Sequence, residues 1–169
     1  MTLTTNAQSK CLIFVRPRFL SRHQQDITMT IKIKHQDLCL PISPMFALHL
    51  AELISEHAAD SAVTINFRDP NYSAESGGFH PVEVRLEKEA NAEHGDQWRI
   101  CYITDFSYVG VGYMAELTKE LDFDFDNGIF QHLMGVSPIE QASEIYQVWE
   151  QNFLAYSLGI KAYKVEIII

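Results

Sequence analysis

Three alternating segments follow one another between two helix starts, and that order restricts the fold more than any other feature of the chain. Val63, Ile65 and Phe67 alternate with polar or small residues, and Val82, Val84 and Leu86 alternate with Glu83, Arg85 and Glu87. In the third segment Trp98, Ile100 and Tyr102 fall on one face. A period of two marks a half-buried strand, and the β-branched and aromatic content agrees. Cys101 and Ile103 give the third segment a second apolar face, which predicts a central strand. Strands in direct succession between helices favour helices gathered on one side of a sheet. The expected fold is therefore α+β, with a mixed or mainly antiparallel sheet and two main helices packed on one face.

Flanking signals fill in the order. Ile31 and Ile33 alternate with lysines, and Leu38, Leu40 and Ile42 resume the alternation, as one kinked strand or a small hairpin. Ser43-Pro44 supplies a hydroxyl cap and a proline whose missing N–H does no harm at the first helical position. A helix to about Ala59 follows, with Phe46, Leu50, Leu53, Ile54 and His57 on one stripe. The stretch 108–133 is less ordered: Met114 to Leu121 suits a short helix, Leu121 to Asp126 alternates as a strand, and Asn127-Gly128 is a turn dipeptide. Ser137-Pro-Ile-Glu140 has the form of a capping box. Ala142, Ile145, Trp149, Phe153 and Tyr156 then recur at helical steps, Gly159 is placed to end the helix, and Tyr163, Val165 and Ile167 make a last strand.

Composition narrows the class. At 169 residues with 47% hydrophobic content, the chain has enough apolar material for a core, which disordered chains lack. No apolar stretch approaches the ~18 residues a membrane helix needs, and the run Cys11 to Val15 is too short for a secretory leader. Cys11, Cys39 and Cys101 are scattered and odd in number, which predicts neither a disulfide framework nor a zinc site. Cys39 and Cys101 sit in apolar segments as small hydrophobes, and a cytoplasmic location is expected. Residues 1–28 carry four basic side chains against one acidic, +3, and read as a loose basic N-terminal extension or as sequence upstream of a natural start at Met29. Residues 29–169 read as a single α+β domain with 9 basic and 21 acidic side chains, −12. That charge repels phosphates, so direct nucleic-acid binding is not expected, nor is a membrane; a protein partner remains open, as does the oligomeric state.

The most unusual stretch is Asp69 to Pro81, about twelve residues where an ordinary hairpin loop takes two to five. Arg68, Asp69, Tyr72, Glu75 and His80 are candidates to converge there, with Gly77 and Gly78 permitting close backbone approach. The competing reading, slightly favoured, is a packed loop in which Tyr72 and Phe79 plug a sheet edge. Asp105, at the end of the central strand, is the carboxylate best placed for catalysis. Asp122, Asp124 and Asp126 resemble the start of a calcium loop, but Asn127 stands at its glycine position and Leu133 at its glutamate position. A solvent-facing acidic edge strand explains them better. His49 and His57 lie on a helix without a zinc-protease motif, and no metal or cofactor is expected. Trp98, Tyr102, Phe106, Tyr108, Tyr113, Trp149 and Phe153 suit a core more than a ligand cleft. Nucleophile-elbow, phosphate-loop and dinucleotide motifs are absent.

The strings Phe67-Arg-Asp-Pro-Asn-Tyr-Ser-Ala-Glu-Ser-Gly-Gly-Phe-His-Pro-Val-Glu-Val84, Ile103-Thr-Asp-Phe-Ser-Tyr108, Leu121-Asp-Phe-Asp-Phe125 and Trp149-Glu-Gln-Asn-Phe153 together resemble a bacterial family known as domain of unknown function 2787, over about residues 30–169. The resemblance implies an α+β fold and a small bacterial protein, often from mobile genomic regions, and brings no activity or catalytic residue with it. The leading expectation is a non-enzymatic binding or accessory protein that uses the 69–81 loop and the adjoining sheet. An enzyme with an unfamiliar site near His80 and Asp105 is the alternative. A third is an acidic DNA mimic whose phosphate surrogates are Asp122, Asp124, Asp126, Glu83, Glu87 and Glu89.

Overall fold

The computed structural model describes residues 31–89 and 97–169. The basic segment 1–28, the start at Met29 and the connection through Ala90 to Asp96 lie outside the described residues. The elements in chain order are β1 (Lys32–Ile33), α1 (Pro44–Leu53), β2 (Ala62–Arg68), β3 (Val82–Lys88), β4 (Gln97–Val109), β5 (Glu116–Asp124), β6 (Ile129–His132), β7 (Gly135–Pro138), α2 (Ser143–Leu154) and β8 (Lys164–Ile168). The strands form one sheet in the spatial order β7-β6-β5-β4-β3-β2-β8, with every neighbouring pair antiparallel. Short β1 runs parallel to the start of β4, Ile33 opposite Trp98, so the sheet is mixed but mainly antiparallel. The thirteen-residue β4 lies at its centre.

Both helices cover one face. Ser43 Oγ accepts the Phe46 N–H at 3.1 Å, and Pro44 occupies the first turn of α1. Phe46 meets Trp149 and Phe153 of α2 edge-on at 5.9 and 5.5 Å. Phe153 in turn meets Phe67 of β2 at 4.9 Å, and Trp149 meets Phe123 of β5 at 5.7 Å. Such aromatic pairs add roughly 0.5–1.5 kcal/mol each beyond area burial. Buried Glu150 ties the helices together, accepting from the Ser43 N–H at 3.1 Å and the Tyr146 hydroxyl at 2.6 Å. Burial, aided by the Glu150 charge, raises the Tyr146 hydroxyl pKa far above its ordinary value.

Several expectations are corrected. Leu38 to Ile42 is not a strand; Leu40 and Ile42 are buried from irregular backbone, and Cys39 is exposed. The first helix stops at Leu53, with a single 3-10 turn, Ser55–His57, after it. Met114 to Leu121 is no helix: its residues from Glu116 onward pair with β4, a ladder that outweighs the helix propensity of Met, Ala, Glu, Leu and Lys. Because β6 and β7 lie beyond it, β5 is not an edge strand. Ser137 and Pro138 do not cap a helix. They end β7, an edge strand, where a proline removes no needed ladder bond. The helical path begins as a 3-10 turn at Ile139, and α2 begins at Ser143 without a side-chain cap. At its far end Gly159 has no left-handed backbone; Lys161, with φ 53°, takes that conformation.

A register shift also reorders the central strand. Arg85 pairs with Tyr102 and Leu86 with Ile100, so Cys101 is an extra residue. A β-bulge of this kind shifts the alternation by one. Trp98, Ile100 and Ile103 therefore face the helices, while Tyr102 turns to the other side and donates to Glu83 at 2.8 Å. Burial pushes the Tyr102 hydroxyl pKa up to about 12, as it does the Cys101 thiol.

Candidate functional site

A second bulge builds the site. Asp105 of β4 lies opposite Leu121 of β5, but the next residue, Phe106, lies opposite Lys119, so Glu120 has no partner across the ladder. Strict alternation would send Glu120 to the face opposite Leu121; the extra residue re-aims it toward Asp105. Val82 of β3 lies opposite Asp105 from the other side. His80 lies at the end of the 69–81 loop, two residues before Val82. Two neighbouring strands and the loop that enters a third thus deliver one imidazole and two carboxylates to one place.

The geometry is close. His80 Nδ1 lies 3.0 Å from Asp105 Oδ1 and 3.0 Å from Glu120 Oε2. The Nδ1–Asp105 contact has hydrogen-bond geometry, and a hydrogen on Nδ1 can serve only one carboxylate at a time. Glu120 Oε2 is within ion-pair range of the imidazole, yet it is shielded from solvent and receives no hydrogen bond. The other Asp105 oxygen accepts the Trp149 indole N–H at 2.9 Å. Asp105 is 8% exposed, whereas the His80 side chain is 40% exposed. The hydrogen bond to Asp105 raises the His80 pKa above its ordinary 6.5; burial opposes this, and the Asp105 and Glu120 charges reinforce it.

These groups line a cleft of about 390 Å³ between α2 with its following turn, the β4–β5 pair and the 69–81 loop. Ile145, Val148, Phe153, Tyr156 and Tyr163 supply apolar wall, and Asn152 a polar edge. Phe79 from the loop meets Tyr156 from the turn after α2 at 4.7 Å. The loop is internally bonded. Asp69 accepts from the Asn71 and Phe79 N–H groups at 2.9 and 3.0 Å, and Ser73 and Gly77 exchange backbone bonds. Gly78 adopts φ +132°, and a Cβ there would lie 2.8 Å from Asp69 Oδ2. Tyr72 packs on His80 at 5.4 Å and on Tyr108 at 5.3 Å, and its hydroxyl accepts the Tyr108 N–H.

Of the sequence candidates, His80, Asp105 and Gly78 meet in the cleft, with Tyr72 behind the imidazole. Asp69 organises the loop backbone instead, and Glu75 and Gly77 are exposed at its tip. Arg68 bonds Asn66 and lies over the Phe106 ring. Glu120 and the indole N–H of Trp149 were missed. Of the seven aromatics considered, Trp149 and Phe153 line the cleft, while Trp98 is core and Tyr113 is 99% exposed. His49 bonds Ser157 and His57 bonds Asp60. The six carboxylates named as phosphate surrogates are all engaged: Asp122 by Thr104 and Lys119, Asp124 by Asn127, Asp126 and Glu87 by Arg99, Glu83 by Tyr102 and Glu89 by Lys34. No helix among the described residues is long and apolar enough to cross a membrane.

Fold and cleft together define an α+β protein with an eight-stranded, mainly antiparallel sheet and a histidine–carboxylate cleft beneath its second helix. The chain belongs to the family described as protein of unknown function DUF2787, whose model matches residues 44–168. A solved structure of the conserved hypothetical protein VC1805, from pathogenicity island VPI-2 of Vibrio cholerae, is 44% identical, with a TM-score of 0.69 over 80% of this chain and 99% of that one. That protein is described as sharing structural homology with the human P32 protein. The hypothetical protein VC0508, from the VSP-II pathogenicity island of Vibrio cholerae, is 36% identical, with a TM-score of 0.70 over 81% of this chain and 99% of that one. Among curated proteins nothing matches the chain.

Proposed function

We propose that the chain is a binding protein whose cleft takes a small ligand, or a side chain of a protein partner, with a flat apolar body and a cationic or hydrogen-donating head. The observation that carries this reading is the convergence of His80, Asp105 and Glu120 on the wall of a cleft otherwise lined largely by aromatic and apolar side chains. Ligand sites are typically concave, mostly apolar and about 300–1,000 Å³, with a few converging polar groups. The Glu120 side chain is 34% exposed in the cleft and its shielded Oε2 receives no hydrogen bond, so turning the carboxylate toward an entering donor breaks no hydrogen bond at that oxygen. Binding is favoured over acyl transfer through a hydroxyl, thiol or amine nucleophile because, among the described residues, no serine, threonine, cysteine or lysine lines the cleft. Benzamidine and benzylamine, added in the presence of a chelator, should shift the Trp149 indole N–H resonance saturably, and benzoate should not. Glu120→Gln should abolish the shift. Equal response to benzoate, or none to any probe, defeats the reading.

A second reading has its own observation. Asp105 takes the Nδ1 side of His80, leaving Nε2 as a potential general base toward water, in the manner of a carboxylate-oriented histidine. Hydrolysis of an activated ester such as p-nitrophenyl acetate should then fall at least tenfold in His80→Gln. An unchanged rate removes this reading.

A further inference from the structure

We propose that His80 Nδ1, Asp105 Oδ1 and Glu120 Oε2 together bind one divalent first-row transition-metal ion at the wall of the cleft. The inference rests on the reading of the cleft as the binding site and specifies what sits at its polar wall. Each residue offers a single ligand atom, all within 4.8 Å of one another. The spacing is the first argument. Nδ1 is 3.0 Å from both oxygens. Ligands about 2.1 Å from a metal and at right angles stand about 3.0 Å apart, whereas tetrahedral ligands stand about 3.4 Å apart. Both nitrogen–oxygen edges therefore match neighbouring positions of an octahedron, and the oxygen–oxygen edge, within 4.8 Å, is short enough for one ion to reach both carboxylates.

The unfilled acceptor is the second argument. Nδ1 can hold at most one hydrogen for the two carboxylates beside it, and Glu120 Oε2 receives no hydrogen bond although it is shielded from water. An ion between the three would satisfy both oxygens and the nitrogen at once. Two carboxylates and a neutral imidazole also balance its charge. Among the described residues, no lysine or arginine pairs with Asp105 or Glu120 to do so.

The surroundings are the third. The Trp149 N–H occupies the second oxygen of Asp105, which fixes that carboxylate as a one-atom ligand. Outer-shell bonds of this type orient metal ligands, and losing one typically costs 10- to 100-fold in affinity. A mixed nitrogen–oxygen set suits manganese, cobalt, nickel or zinc, whereas calcium and magnesium prefer all-oxygen sites.

The test is calorimetric titration of the full chain, stripped with chelator, with manganese, nickel and zinc chlorides, and with cobalt chloride followed by visible absorption. One ion per chain is expected, with nickel bound more tightly than manganese. Glu120→Gln and His80→Gln should each weaken binding at least tenfold, Trp149→Phe about 10- to 100-fold, and Glu75→Gln not at all. Amide spectra of each variant establish that it is folded, and Glu120→Gln, which keeps the side chain's shape on a half-buried strand position, guards against loss of fold. Saturable binding that Glu120→Gln leaves unchanged places the ion elsewhere and overturns the proposal. Absence of saturable binding in the parent overturns it too. If benzamidine still binds in the presence of chelator, only the metal site has failed; if neither binds, the cleft reading fails with it.

Discussion

Replacing Trp149 by phenylalanine isolates the bond on which the site's geometry depends. The indole N–H donates to Asp105 Oδ2 at 2.9 Å, and both residues are over nine-tenths buried. A bond to a charged acceptor contributes about 1.5–3 kcal/mol, and its loss leaves a buried oxygen unpaired. Cutting indole to phenyl leaves a cavity among Phe46, Phe123 and Phe153 that costs on the order of 1 kcal/mol more. The single substitution should therefore destabilise by about 2.5–4 kcal/mol. In an Asp105→Asn background the acceptor is neutral, and the same change should cost about 1–1.5 kcal/mol less. Urea unfolding of the four proteins in the cycle measures this, with the m-value checking that the unfolded reference is unchanged. A Trp149→Phe cost below about 1 kcal/mol, or costs in the two backgrounds agreeing within about 0.5 kcal/mol, would refute the assignment of a charged, stabilising bond.

Other outcomes follow from the same geometry. The His80 pKa is raised in the folded chain, so its contribution to stability is fully present below the unfolded value of about 6.5 and is lost as pH rises through the folded value; NMR titration should give a midpoint above 6.5, and Asp105→Asn should lower it. Gly77→Ala, at φ +66° in open space, should cost about 1–2 kcal/mol. Gly78→Ala should cost more, because its new Cβ would also meet Asp69 and the Tyr72 backbone; the reverse ranking in thermal unfolding would count against the packed loop. Tyr113→Ser, at a position 99% exposed, should change stability by no more than about 0.5 kcal/mol.

Much of the sheet was legible from alternation, because Val63 to Phe67 and Val82 to Leu86 are regular strands with one buried side. Alternation failed where the backbone inserts a residue. The bulges at Cys101 and Glu120 invert the facing of every later side chain in their strands, and bulge positions carry no composition signal when the residue is not glycine. Glu120 was hidden twice, since its segment also has strong helix formers. Ser137-Pro138 misled in the other direction: the same pair that caps α1 at Ser43-Pro44 ends an edge strand here, held by pairing with β6. The 69–81 loop was singled out by its length, its Gly77-Gly78 pair and its polar residues, and the site lies at its C-terminal end, where His80 meets strands distant in sequence. Asp105 was singled out as a strand-end carboxylate, but β4 runs on to Val109 and Asp105 is paired on both sides; its partners depend on register.

The most direct test of the cleft as a binding site is a crystal structure of the chain soaked with benzamidine under chelator. The account predicts the phenyl ring against the aromatic wall of the cleft and the amidinium within hydrogen-bond distance of Glu120 and Asp105. Benzamidine bound only elsewhere on the surface, or an empty cleft at saturating concentration, would contradict it.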